Sequence, residues 1–503
     1  MWLTIILFTL LLYVIYRIIN FWIIRPYTIQ RDLANQGVPG QYTPIVGDVL
    51  RHRRDYYADK ALIYLEEANA KFGDYYHTSF GPFPCLITSD PGVIESVLKT
   101  NTRFYHKNVL VRELFGALLN YENLLLAEDD NHTRHRQLTN PIFQHQNLNS
   151  MIPVMVDRIS NFLAQWQNDI NDKTSPLTLD ISKEMSYLTL DIIFGCVFGV
   201  ETMKDRSIND TIYHNLQIAF DEVEKRIYNV ILIIPILNRL PILWKKRIDK
   251  CKQDMRNAVL QMINLRKQGL TKATCKGPDL LDQLLVTDGD NKKEKFSDED
   301  ILNEALTFVI AGHDTPRTLI IWALYYLVTN PDVYQELQNE VDSVLSNNQE
   351  LTVTTISLLT YTEAVLKETL RYHHPAPLLL RTAMADNTIV ASDGKQIRIR
   401  KGTDIFIVLN ILNRSEKYWH ESNKFDPSRF LENHVNVLFP FGYGPHTCIG
   451  QNFAMLESKI ILAMMLHRFR FELIPGQKIV QGTAVTVRPK YGLSMRVWSR
   501  SGF

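Results

Sequence analysis

The feature that most constrains the fold is a long helical segment that starts at Ser297 and stops before Asn330 and Pro331. Ser297 can cap the helix, and the acidic residues after it favour the positive end of the helix dipole. At about 1.5 Å per residue the helix spans about 48 Å, enough to cross a whole domain. We therefore expect a mainly helical chain with a small sheet, whose strands lie at residues 75–89, 388–399 and 405–409.

The middle of this segment reads AGHDTP at residues 311–316, which places a glycine, a charge and a proline inside a buried helix. Pro316 lacks the amide that would bond to the carbonyl of Gly312, so we expect a local opening at a cost of roughly 3 kcal/mol. A simple kink without function is the alternative.

The N-terminal residues 2–24 are apolar, with Arg17 as the only charge, and as a helix they span roughly 34 Å. A cleaved signal peptide would have a shorter apolar stretch, preceding positive charge and a small-residue cleavage site. The sequence favours a retained transmembrane anchor. Positive charge follows it at Arg25 and Arg31, which places the rest of the chain in the cytosol.

The remaining chain of this 503-residue protein is predicted to form one large domain over residues 48–503, behind a proline-containing hinge at 25–47. A second apolar stretch at 227–244 is interrupted by Pro235 and Pro241 and is too short to span a membrane. It is expected to lie on a membrane or cap a pocket, or to be a buried helical segment.

Charge and cysteine content exclude several classes of protein. The net charge of +1 provides no field for binding a phosphate backbone, so nucleic acid is not an expected partner. The five cysteines are scattered without C-x-x-C spacing, which argues against a disulfide framework or a zinc site and favours a reducing compartment.

Cys448 has the strongest chemical context of the five. It lies just before a predicted helix that starts near Gln451, where free amides and the helix dipole stabilise a thiolate. Gly444 and Gly450 carry no side chains, so a flat partner could approach the backbone. A thiolate presented to a planar cofactor suggests haem, although an isolated cysteine is more often a buried hydrophobic residue.

The segment from Phe441 to Gly450 has the Phe-x-x-Gly-x-x-x-Cys-x-Gly spacing of the cytochrome P-450 family and resembles it closely. Three further segments resemble family elements in the same order: AGHDT at 311–315, ETLR at 368–371 and FDPSRF at 425–430. The anchor, NPIF at 140–143 and RPKYGL at 488–493 resemble the eukaryotic microsomal branch. The resemblance covers essentially the whole chain and implies the P-450 fold, with residues 48–503 as the haem-thiolate domain.

The resemblance implies haem b as cofactor, with Cys448 as the iron ligand and Phe441, Gly444, Gly450 and Ala311 around the ring. On the other face, Thr315 would hydrogen-bond to the oxygen bound there, while Asp314 would relay protons from a water channel. Pro316 departs from the usual Thr or Ser.

Four residues match the family's partners for the haem propionates: His132, Arg136, Arg381 and His446. His132 stands where many relatives have Trp, and His446 where most have Arg, so both depart from the pattern. A separate group, Glu368, Arg371 and Arg429, is expected to form a buried structural ion network.

The implied function is a monooxygenase that uses dioxygen to hydroxylate an apolar lipid, sterol or terpenoid. The pocket is expected to be lined by Phe308, Val309, Ala311 and residues 115–119 and 378–380. Electrons would come from a membrane-bound NADPH-dependent flavoprotein reductase, with cytochrome b5 as a further candidate, at the endoplasmic reticulum. A reductase-independent isomerase or dehydratase and a haem-binding protein without turnover remain alternatives.

Overall fold

The structure is a computed structural model. It describes residues 2–170, 175–199, 206–227, 243–270, 279–285, 296–346, 350–432, 437–483 and 486–500. The second apolar stretch lies almost entirely outside these residues, and Cys275 lies outside them as well. The other four cysteines are free, in agreement with the absence of a disulfide framework in the described residues.

Helices make up most of the described chain. They are α1 (Trp2–Ile19), α2 (Arg25–Asn35), α3 (Val49–Tyr57), α4 (Ile63–Phe72), α5 (Pro91–Glu95), α6 (Val109–Leu119), α7 (Asp129–Thr139), α8 (His145–Asp169), α9 (Ile181–Phe198), α10 (Arg206–Ile227), α11 (Leu243–Lys267), α12 (Leu280–Leu285), α13 (Asp298–Thr329), α14 (Pro331–Val344), α15 (Val353–Ser357), α16 (Thr360–Tyr372), α17 (Leu409–Leu412) and α18 (Gln451–Arg468). Short π- or 3₁₀-helical turns cover Asn20–Ile24, Ser96–Thr100, Thr102–Phe104, Asn140–Phe143, Pro427–Phe430 and Gly444–His446.

The strands are short: β1 (Tyr75–Phe80), β2 (Phe83–Thr88), β3 (Tyr105–Lys107), β4 (Leu177–Asp180), β5 (Leu378–Ala383), β6 (Asn387–Val390), β7 (Gln396–Ile399), β8 (Asp404–Val408), β9 (Phe469–Leu473), β10 (Gln481–Thr483), β11 (Val487–Pro489) and β12 (Ser494–Ser499). The largest sheet has the order β1-β2-β8-β5-β3, and β2 pairs with β8 in parallel. The three predicted strand regions are confirmed as β1–β2, β6–β7 and β8. The prediction of a mainly helical fold with a small sheet is confirmed.

The main hydrophobic core surrounds α13, which packs most extensively on α9 and also contacts α16 and α18. Most residues of α13 are buried, so this helix is the central support of the fold. Ser297 caps it together with Asp300 in a reciprocal pair of hydrogen bonds, as the sequence predicts for its start.

The predicted opening of α13 at Pro316 is wrong, since the helix runs unbroken through this residue. The side chains of two residues just before the proline are tied to neighbouring elements. Thr189 of α9 lies 2.9 Å from His313 Nδ1, and Asp314 is bonded to a residue near β11. Tertiary packing therefore holds the backbone that the missing amide would loosen.

The predicted hinge at 25–47 is wrong over its first part, because residues 25–35 form α2. Pro26 lies in the first turn of α2, where a missing amide costs little. Ile29 and Leu33 are buried against the sheet, so α2 is packed on the folded body. Together with α1 it forms one helix, Trp2–Asn35, with a mean hydropathy of 2.2 in its most apolar window and no buried residue there. It is long and apolar enough to cross a membrane.

Candidate active site

A cavity of about 640 Å³ lies between α13 and the loop that precedes α18. Its lining is largely apolar and includes Phe308, Phe115, Leu118 and residues 378–380, as predicted. Val309, Gly116, Ala117 and Leu119 were also predicted to line it, but they are absent from its wall. Val309 points about 100° away from Phe308 around the helix and is buried in the core instead.

The loop before α18 holds Cys448 by its backbone. The amide of Cys448 donates to the carbonyl of Phe441 at 2.8 Å, and the Thr447 hydroxyl donates to the carbonyl of Gly444 at 2.7 Å. Phe441, Cys448 and Gly450 all line the cavity. The loop therefore fixes the cysteine at the cavity wall before any ligand binds.

Gly444 does not line the cavity, which corrects its prediction as a cofactor contact. Its φ is +73°, and a Cβ atom there would lie 2.1 Å from the carbonyl oxygen of Leu98. The glycine allows the loop to pack on the turn Ser96–Thr100. Gly442 was not singled out by the sequence and lines the cavity at φ +78°.

Cys448 is exposed and lines the cavity, whose walls surround the thiol. Burial raises its pKa, while a hydrogen bond from the Gly450 backbone and the charge of Arg136 favour the thiolate. A bound metal ion would hold this sulfur as a thiolate despite its burial.

Another wall of the cavity is formed by one face of α13. Thr307, Ala311 and Thr315 line it four residues apart, as helical geometry requires, and Gly312 lines it next to Ala311. The Thr315 hydroxyl donates to the carbonyl of Ala311 at 2.8 Å, which leaves its oxygen lone pairs available to a ligand. Ala311 and Thr315 are therefore placed at the cavity, as predicted.

Asp314 faces away from the cavity, and the expectation that it borders a water channel is wrong. The side chain is buried, with one oxygen 2.7 Å from Arg317 Nη1 and the other accepting from the Thr486 hydroxyl at 2.6 Å. Arg317 lies one turn further along α13 and is also buried. Sequence reasoning missed both partners, and Thr486 is separated from Asp314 by 172 residues.

Five basic side chains line one side of the cavity: Lys107, His132, Arg136, Arg381 and His446. The rings of His132 and His446 lie with centroids 3.9 Å apart. Arg136 donates from Nη1 to the carbonyl of Thr447 at 2.5 Å and so links α7 to the Cys448 loop. The structure thus gathers all four predicted propionate partners and adds Lys107, which the sequence analysis missed.

This group, here called the basic cluster, has little compensating negative charge. Lys107 lies 3.6 Å from Glu128, and neither Arg136 nor Arg381 forms an ion pair with any residue that the structure describes. Burial lowers the pKa of His132 to about 4, and the charges of Lys107 and Arg136 add to this effect. His446 Nδ1 is buried without a hydrogen-bond partner. The cluster is suited to an anionic ligand.

The predicted ion network on α16 is confirmed. Arg371 makes two parallel bonds to Glu368, at 2.7 and 2.8 Å, and Arg429 lies 3.5 Å from the same carboxylate. The remaining donors of Arg371 bond to the backbone carbonyls of Asn413, Ser422 and Lys424. The charges of this network are therefore compensated within the protein.

Comparisons with known proteins agree with this architecture. The family model described as Cytochrome P450 matches residues 38–494. Cytochrome P450 monooxygenase 205 of Postia placenta is 29% identical over 80% of both chains. Protein LUTEIN DEFICIENT 5, chloroplastic, of Arabidopsis thaliana is 29% identical over 95% of this chain and 82% of its own. Echinocystic acid 23-monooxygenase of Saponaria officinalis is 26% identical over 93% of both chains.

The helical fold, with a cysteine loop facing a central helix across an apolar cavity, is that of a haem-thiolate monooxygenase. The chain belongs to the cytochrome P450 family, in agreement with the resemblance of its motifs. The residues present fit the haem of that family. A cysteine opens into the cavity, a wall lacks side chains at Gly312 and Gly442, and the partly buried cations Arg136 and Arg381, which form no ion pair with any described residue, lie where carboxylates could reach them.

Proposed function

We propose that this protein hydroxylates an apolar, lipid-like substrate at a haem held by Cys448, with electrons delivered by a separate NADPH-dependent flavoprotein reductase. The observation that carries the proposal is the cavity itself. It places a free cysteine, the hydroxyl of Thr315 and a largely apolar lining around one space.

Each wall has a distinct role in this proposal. Cys448 holds the iron as a thiolate, and the bound haem supplies the activation of dioxygen, which a thiolate ligand favours. Phe441 and Gly450 would contact the haem from the Cys448 loop, and Ala311 would contact it from α13. The basic residues His132, Arg136, Arg381 and His446 hold the propionates.

Thr315 orders the proton donor on the α13 side. Its own proton is committed to the carbonyl of Ala311, so its oxygen accepts a hydrogen bond from water or from a bound ligand. Asp314 is bonded to Arg317 and Thr486 on the side of α13 that faces away from the cavity. It acts on the cavity only indirectly, through the electric field and the hydration of α13. We therefore assign Asp314 a positioning role.

The substrate is proposed to be a lipid, sterol or terpenoid, because the cavity offers mainly hydrocarbon surface. Phe308, Phe115, Leu118 and residues 378–380 supply much of this lining. Such molecules concentrate in membranes, and the N-terminal helix would place the cavity beside one. One relative is named for the oxidation of echinocystic acid, which makes that compound a reasonable first probe.

The N-terminal helix is proposed to anchor the protein in the endoplasmic reticulum with the haem domain in the cytosol. Its apolar window is entirely exposed in the folded chain. Membrane fractionation of the full chain and of a variant lacking residues 2–24 tests this placement. The anchor is refuted if the full chain is extracted by carbonate, and the compartment is refuted if the protein does not fractionate with markers of the endoplasmic reticulum.

Electron supply is tested with purified holoenzyme, echinocystic acid and a microsomal NADPH-cytochrome P450 reductase. We expect NADPH oxidation and a product that contains one atom of labelled dioxygen only when reductase is present. Cytochrome b5 is added in a separate arm as a candidate second donor. Turnover of a peroxide without reductase would instead favour the isomerase or dehydratase alternative.

The role of Thr315 is tested by replacing it with alanine. We expect Thr315→Ala to divert reducing equivalents to hydrogen peroxide. Thr307→Ala is the matched control, since Thr307 also lines the cavity and donates to the carbonyl four residues earlier, at 2.7 Å. Equal coupling in the two variants would remove the assigned role of Thr315.

A further inference from the structure

We infer that α2 joins the N-terminal helix rigidly to the folded body, so that the helix holds one face of the body, around Tyr27 and Ile45, against the lipid bilayer. Residues 25–35 and their contacts are here called the joint. The inference rests on the proposed function, since it takes the helix to be a membrane anchor and the cavity to hold haem. It goes beyond anchoring, because a flexible tether would let the body turn any face to the membrane.

The helix passes from the anchor into the folded body without a break. The turn Asn20–Ile24 between α1 and α2 is π-helical, and the amide of Arg25 donates to the carbonyl of Asn20 within it. A helical connection acts as a stiff spacer, whereas a connection rich in glycine and serine is a flexible coil. The anchor therefore cannot swing freely at the start of α2.

One side of α2 is held by apolar packing. Ile29 and Leu33 are 4% and 1% exposed and share a hydrophobic core with Leu86 of β2 and Ile399 of β7. The helix contacts β1 as well as these two strands. Burial of aliphatic side chains from successive turns favours the docked helix over a detached one.

Polar contacts fix α2 near both of its ends. Near the start, Arg25 Nη2 donates to the carbonyl of Gly402 at 2.9 Å. Near the end, the Asp32 carboxylate accepts from Arg398 and Arg400 at 2.8 and 2.9 Å. Because the two ends are tied to different points of the body, the direction of the helix axis is fixed as well as its position.

The face of the body around the joint is apolar and aromatic. Tyr27 is 48% exposed, its ring lies 6.0 Å from the ring of Tyr42, and Ile45 in the following loop is 50% exposed. Ile23 and Ile24, at the end of the anchor, are exposed directly before α2. Tyrosine is favoured where hydrocarbon meets the headgroups of a membrane. A lipid bilayer is therefore the partner whose chemistry fits this face.

The junction of anchor and body also lies against the cavity. Phe21 packs on the core around β1 and β2, and its ring lies 6.0 Å from the ring of Phe83, which lines the cavity. Since the joint is rigid, the cavity wall at Phe83 keeps a fixed orientation relative to the anchor. The plane of a haem in the cavity then keeps one tilt relative to the bilayer, which can be measured.

The first experiment measures the haem tilt by polarised absorption of the full-length holoenzyme in aligned bilayers. Two inserts of about seven residues, close to two helical turns, are compared between Ile24 and Arg25. An alanine-rich helical insert should retain a single ordered tilt, whereas a glycine–serine insert should abolish the order. A wild-type holoenzyme without a preferred tilt would overturn the proposal, and so would an ordered tilt that survives the glycine–serine insert.

The second experiment tests which face meets the lipid, with nitroxide labels on Ile45→Cys and Leu358→Cys. Leu358 is the matched control, since it is 55% exposed and lies between α15 and α16. We expect dioxygen, which concentrates in the bilayer, to relax the label at residue 45, and a water-soluble nickel chelate to relax the label at residue 358. Equal access of the chelate to both labels would overturn the assignment of this face.

Failure of the inference is distinguishable from failure of the proposed function. A full chain that leaves the bilayer, or that binds no haem, would refute the proposed function. A membrane-bound holoenzyme with a disordered haem tilt would refute only the rigid joint.

Discussion

Two groups of buried charge in this protein look alike in the sequence and differ in the structure. The network of Glu368, Arg371 and Arg429 is closed, because carboxylate oxygens and backbone carbonyls accept the donors of Arg371. The basic cluster is open, because its cations exceed its carboxylates and it faces a cavity. A closed network supports the fold, whereas an open one requires a ligand. Charge compensation thus separates architecture from binding.

The largest effect should come from opening the closed network. Glu368→Gln leaves the buried Arg371 without its counter-ion, and we expect a loss of about 3–5 kcal/mol in the free energy of unfolding. Urea unfolding of the holoenzyme measures it. Glu363→Gln on the same helix is the control, with an expected loss below about 1 kcal/mol because its carboxylate is partly exposed. Similar losses of stability in Glu368→Gln and Glu363→Gln would contradict the special role of the closed network.

The open cluster should make the haem-free protein sensitive to acid. The pKa of His132 is lowered to about 4 in the folded protein, against 6.5 for an ordinary histidine. Between these values the unfolded chain binds more protons, so stability is lost as the pH falls from 6.5 to 4. We expect His132→Gln to remove up to about 3 kcal/mol of this loss. Urea unfolding of haem-free protein across that range tests it, and identical pH profiles would contradict it.

Removing a cation from the open cluster should act on the ligand more than on the fold. Arg381→Met relieves repulsion with Lys107, so we expect the haem-free protein to be at least as stable as wild type. Haem affinity should fall by about 1.5–3 kcal/mol, the value of a hydrogen bond to a charged group. Haem titration and thermal unfolding measure the two effects. A large loss of stability with unchanged affinity would reverse the assignment.

A smaller loss of stability is expected at the ion pair of Asp314 and Arg317. The charges of this pair compensate each other, although α13 also lines the cavity. Thr486→Val removes the hydroxyl that donates to Asp314 while it preserves side-chain volume, and we expect a loss of about 1–2 kcal/mol with more hydrogen peroxide released. Thr318→Val is the control, since Thr318 is equally buried and bonded to Thr486 but not to Asp314. If the control releases as much peroxide, the contact with Asp314 has no special role.

The sequence was sufficient to predict the elements and site residues that depend on local patterns and motifs. The long helix, the strand pairs of residues 75–88 and 387–399, and the positions of Cys448 and Thr315 at one cavity all agree with its predictions. Each of these depends on neighbouring residues or on a motif with fixed spacing.

What the sequence could not provide depends on long-range topology. Lys107 meets Arg381 only because β3 pairs with β5, and Thr486 reaches Asp314 only through the packing of β11 near α13. Gly444 was predicted to contact the cofactor because it belongs to the motif around Cys448. In the structure it contacts the backbone of Leu98, which is distant in the sequence. The missed residues have no motif of their own, so pairing and burial alone reveal them.

The proposed function depends most directly on ligation of haem iron by Cys448. The absorption spectrum of the reduced carbon monoxide complex reports the ligand, since a thiolate shifts the main band to the red relative to imidazole. We predict the red-shifted band for the wild-type holoenzyme and its loss in Cys448→His. An imidazole-type spectrum in the wild type, or a thiolate spectrum that survives Cys448→His, would contradict the account.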